Sequence, residues 1–163
     1  MILLLLSLAQ AQEHQPKSHE MRNGFRMGYA HIANEKSLAS PHLFLVGYEN
    51  LHTFSSSGPI SILIMSNLSI AGINQGELIP TGFLALGYQL QDRIQLGVGP
   101  IVSLSDPLAD NSLWRTNMLL AAGYNLDMDG FNIPVHVGFV PDVDDRWRIY
   151  ATTGFNWSVN LKK

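Results

Sequence analysis

Alternation of apolar and small residues with period two runs through most of the chain. It predicts an all-β fold, an eight-stranded antiparallel up-and-down barrel. Two further features place that barrel in a membrane. Only 14% of the 163 residues are charged while 46% are hydrophobic, against roughly 25% charged in an average soluble domain. The links between alternating segments are also short and long by turns, as in barrels with short periplasmic turns and longer outer loops.

The chain opens with an apolar run over residues 2–9, followed by Ala9-Gln10-Ala11. This reads as the apolar region and small-x-small cleavage site of a signal peptide covering residues 1–11, although no Lys or Arg precedes the run. Residues 12–24 are polar, of mixed charge and without periodicity, and are expected to form a mobile N-terminal segment. His14 and His19 fall there and are expected to be solvated rather than metal-bound.

The barrel is expected over residues 25–158, followed by a short tail, 159–163. Phe25, Met27 and Tyr29 begin the first strand (25–33), and Phe44, Val46 and Tyr48 mark the second (42–54). Ile60, Ile62, Ile64, Leu68 and Ile70 mark the third (59–71), and Leu84, Leu86, Tyr88 and Leu90 the fourth (80–90). Ile94, Leu96, Val98, Val102 and Leu104 define the fifth (92–104), and Met118, Leu120, Ala122 and Tyr124 the sixth (115–126). The seventh (130–140) alternates most cleanly, with Phe131, Ile133, Val135, Val137 and Phe139 against Asn132, Pro134, His136 and Gly138. Trp147, Ile149, Ala151, Phe155 and Trp157 carry the eighth (146–158). Pro100 and Pro134 read as lying on the less apolar face, each marking a bulge or strand end because proline costs a ladder bond.

One strand face carries large apolar and aromatic residues. The other carries Gly, Ala, Ser, Thr, Asn and Gln, where a soluble barrel's outer face would need Lys and Glu. The interior of an eight-stranded barrel has room only for side chains, so the small, polar face is expected inside and the apolar face in lipid. Arg26, Glu49, Arg93 and Arg148 fall within strands or at their ends, on the glycine-bearing face by parity. Facing lipid would cost each about 2–4 kcal/mol near the midplane. With His136 they make up the expected lumen network, Glu49 pairing with one of the arginines and His136 with Asn132 or Asn156. Gly-Tyr recurs at 28–29, 47–48, 87–88 and 123–124. Tyr48, Tyr88, Tyr124, Trp147 and Trp157 are the expected aromatic girdle at the headgroups. On this reading Leu86→Arg is damaging and Gly87→Ser mild.

The signal, the eight alternating strands and the terminal Thr153-Gly154-Phe155-Asn156-Trp157 resemble small bacterial outer-membrane β-barrels of the OmpX/OmpA type. The resemblance covers roughly residues 25–158 and rests on pattern rather than on a diagnostic motif. It implies residence in the bacterial outer membrane, contact with its lipid, and insertion by the barrel-assembly machinery. That machinery recognises a terminal aromatic residue, whereas here Ser158 and five more residues follow Trp157.

Motifs for chemistry are few. There is no cysteine, so no disulfide, thiolate metal site or cysteine nucleophile. The net charge of -3 offers no basic field for nucleic acid. Asp142-Val143-Asp144-Asp145 resembles a calcium loop, but Arg146 occupies a ligand position, and a solvated turn is expected. No cofactor or metal is expected. The leading function is structural or surface-interacting, with a lumen plugged by side chains. The alternatives are a lipid-modifying enzyme, with His136 as base and an opening in the wall at Pro100 or Pro134, and a soluble lipocalin-like carrier of an apolar ligand with the faces reversed.

Overall fold

The computed structural model describes residues 18–34, 38–55, 58–104, 114–142 and 146–159. The expected signal peptide lies outside them, as does nearly all of the C-terminal tail. The eight strands are β1 (Ser18–Ile32), β2 (His42–Ser55), β3 (Ile60–Ala71), β4 (Ile79–Leu90), β5 (Ile94–Leu104), β6 (Trp114–Met128), β7 (Phe131–Val140) and β8 (Arg148–Ser158). Each pairs antiparallel with the next, and β1 closes the barrel against β8. One 3₁₀ turn, Ile73–Gln75, sits between β3 and β4.

β1 starts at Ser18, before the expected Phe25. Residues 18–24 pair in register with β2 from Ser55 to Glu49. Polar residues on both faces (Glu20 and Arg22 on one, His19 and Asn23 on the other) erase the apolar period that would have revealed a strand. The turn between β4 and β5 has two consecutive left-handed residues, Gln91 at φ 49 and Asp92 at φ 58. Positive φ at both central positions is what a type I′ hairpin requires.

Leu86 is 59% exposed, whereas its neighbour Gly87 is buried. The same alternation puts Phe25, Ile62, Leu68, Leu96, Leu120, Val137 and Phe155 outside. The wall therefore presents large apolar side chains outward all the way round, which a carrier with reversed faces would not do. The interior is less polar than expected. Leu43, Leu45, Leu51, Leu63, Met65, Ile101, Leu119 and Val140 are all buried inside. They form three clusters, one of which joins Ala30, Leu43, Leu45 and Ala71 at the long-loop end.

Both prolines depart from expectation. The β4–β5 ladder lapses around Pro100 and the β7–β8 ladder around Pro134, and each resumes in the same register. Neither site is a bulge or a strand end. Pro100 points outward, on the apolar face, while Pro134 is buried. Gly87 also corrects an expectation. A Cβ there would lie 1.8 Å from the Leu96 carbonyl oxygen, so the backbones of β4 and β5 approach where only glycine fits.

Candidate functional site in the barrel interior and at its rims

Arg26 and Glu49 reach the interior from β1 and β2 and form an ion pair, both almost wholly buried. Asn156 Nδ2 approaches the other carboxylate oxygen at 3.5 Å. Arg26 Nη1 donates to the Pro134 carbonyl at 3.3 Å. Arg26 stands opposite Gly154 in the β1–β8 register. A cavity of about 60 Å³ lies here, lined by Arg26, Glu49, Met65, Asn67 and His136 among others.

His136 is held by Gln95, not by Asn132 or Asn156. Its Nε2 lies 2.6 Å from Gln95 Oε1. Because an amide oxygen only accepts, His136 carries its proton on Nε2. Gln95 Nε2 donates in turn to Gln89 Oε1 at 2.9 Å, and Gln89 Nε2 to Asp92 Oδ1 at 3.3 Å. This chain of donors runs from the mid-barrel to the β4–β5 turn. The imidazole lies across Gly123, its partner in the β6–β7 register, where a Cβ would meet His136 Cδ2 at 1.6 Å.

Arg148, the first residue of β8, is also buried. Its Nη1 donates to Ser103 Oγ at 2.9 Å and its Nη2 to Asn117 Oδ1 at 2.8 Å. Arg93 does not join the interior. It lies exposed at the β4–β5 turn, and its carbonyl accepts from the Asn125 amide. Parity alone put it inside, but a tight turn ends the alternation at that residue.

The five aromatic residues expected in one girdle occupy different levels. Tyr88, Tyr124 and Trp157 lie toward the short-turn end and Tyr48 halfway along β2, edge-on to Phe25 at 5.5 Å. Trp147 is at the opposite, long-loop end, beside His31 at 5.6 Å and Phe139 at 6.4 Å.

The long-loop end also holds contacts that sequence patterns did not reveal. Asn74 Oδ1 accepts from the Phe44 amide at 2.8 Å while its Nδ2 donates to the His42 carbonyl at 3.0 Å. Gln75 does the same to Ser40, accepting at 3.0 Å and donating at 2.9 Å. Two side-chain amides thus continue the β2–β3 ladder past Ala71, in the manner of a strand edge. Their only sequence signal is the pair of polar residues between Gly72 and Gly76, both at positive φ.

The chain shares its fold with Ail of Yersinia pestis. Two crystal structures of Ail, the attachment invasion locus protein, match across 89% of this chain and 100% of theirs. One has a TM-score of 0.51 at 12% identity. The other, in complex with the heparin analogue sucrose octasulfate, has a TM-score of 0.50 at 10% identity. The backbone structure of the outer membrane protein Ail in a phospholipid bilayer nanodisc gives 0.49 at 11% identity, covering 87% of this chain and 100% of that one. No protein-family model and no curated protein matches the chain. At such identity the likeness is one of backbone. The side chains inside this barrel have to be understood from their own contacts.

Proposed function

We propose that this chain is a small integral barrel of the bacterial outer membrane, with a structural or surface-interacting role and a lumen closed by its own side chains. The observation that carries the reading is the exposed apolar wall around a barrel whose interior holds the Arg26–Glu49 pair. Such a wall is stable only against hydrocarbon, and an eight-stranded barrel leaves space inside for little more than side chains. Arg26, Glu49, His136 and Arg148 are the polar part of that filling. Tyr88, Tyr124 and Trp157 would meet one headgroup layer and Trp147 the other, with Phe155 and Trp157 the residues offered to the barrel-assembly machinery. A surface role is supported by the fold shared with Ail, named for attachment and invasion and crystallised with a heparin analogue. Purified protein reconstituted in planar bilayers tests the closed lumen. The expected record is flat. Large, stable conductance steps, of the kind given by channels of about sixteen strands, would refute it.

A further inference from the structure

Arg26 and Arg148 are the two arginines most deeply buried inside the barrel, at 4% and 6% exposure. Glu49 neutralises the first. The second has no such partner among the described residues. It is held by Ser103 Oγ and Asn117 Oδ1, which are both neutral. At the same end the Asp142 carboxylate accepts from Arg115 at 3.2 Å. Toward the middle of the barrel the surroundings are apolar, with Ile101, Leu119 and Val140 packed together under Tyr150. A guanidinium removed from water with no counter-charge is strongly disfavoured.

The donors left over have a common character. Arginine carries five N–H groups, and two contacts to neutral acceptors do not exhaust them. Ser103 accepts from Arg148 at Oγ and Asn117 accepts through Oδ1, and a hydroxyl and a side-chain amide can each also donate. Ser103 precedes the last residue of β5 and Arg148 begins β8, so the cluster sits just inside the long-loop end. A planar fork with a hydroxyl and an amide beside it is suited to an oxyanion.

We propose that Arg148, Ser103 and Asn117 bind a small oxyanion entering from the long-loop end, phosphate or sulfate, free or as a group on a larger molecule. The site rests on the interior contacts alone and not on the membrane assignment. The test uses the full chain folded in neutral detergent micelles and follows the urea midpoint of unfolding by tryptophan fluorescence. Sodium phosphate is titrated at constant ionic strength, with glucose 6-phosphate in parallel. The wild-type midpoint is expected to rise and saturate with phosphate. Arg148→Met should raise the half-saturating concentration at least roughly tenfold, the size of one lost charged hydrogen bond. Asn117→Leu, which keeps the guanidinium, should weaken the response and serves if Arg148→Met does not fold. A response to both phosphates identifies a group that can sit on a larger molecule, and a response to the inorganic ion alone identifies a free-ion site. No saturable rise in the wild type, or an equal rise in the variants, overturns the proposal.

Discussion

Arg26 and Glu49 meet on a diagonal: in the β1–β2 register Arg26 stands opposite Gly47, and Glu49 opposite Gly24. Each charged side chain thus faces a glycine across the ladder and has space to lean toward the other. The pair lies inside a barrel, among Met65, Asn156 and the Pro134 carbonyl.

Removing one partner leaves the other charge buried alone. Glu49→Gln is expected to cost about 3–5 kcal/mol, the usual penalty for breaking a buried pair. Arg26→Met with Glu49→Leu should recover most of the loss, since neither charge then needs compensation. Urea unfolding of the two variants in micelles measures both. A Glu49→Gln protein as stable as wild type would mean that the pair contributes nothing.

Leu86 and Gly87 test the two faces of β4. Leu86→Arg puts a charge on the lipid side at about 2–4 kcal/mol, and should lower folding yield into vesicles. Gly87→Ser is expected to be at least as harmful, because its Cβ would have to displace the β5 backbone at Leu96. Folding yield, read from the shift between unfolded and folded bands on cold gels, compares them. A well-folded Gly87→Ser would show that β4 and β5 can separate there at little cost.

His136 and Gly123 are coupled by shape. Gly123→Ala drives the imidazole from its place and leaves Gln95 Oε1 without its donor, a loss of about 1–3 kcal/mol for a buried polar group. In a His136→Ala background most of that penalty should vanish, since the added methyl then meets no ring. The four proteins form a double-mutant cycle, and purely additive losses would contradict the coupling.

Asn74→Ala removes two hydrogen bonds that tie the 3₁₀ turn to β2. At about 1 kcal/mol for each bond, and at a barrel end, the expected effect is local. Proteolysis near residues 72–76 should accelerate while the global unfolding midpoint moves little. An unchanged cleavage rate would show that Gln75 holds the loop by itself.

Strand number, strand faces and the order of short and long links were legible in the chain because period two is a local property, visible wherever the two faces differ in polarity. Where both faces are polar, as over residues 18–24, the signal vanished and part of β1 went unseen. Parity also placed Arg26, Glu49, His136 and Arg148 inside, but it failed for Arg93, where a turn interrupts the alternation. It could say nothing about partners. The sequence by itself determined that some residues would share an interior; closure of β8 onto β1 and the stagger of neighbouring strands decided which of them touch. Glu49 meets Arg26 rather than Arg148, His136 meets Gln95 from a strand that is not its neighbour, and Arg148 meets Ser103 and Asn117. Those outcomes depend on angles and registers summed around a ring, which no stretch of adjacent residues encodes.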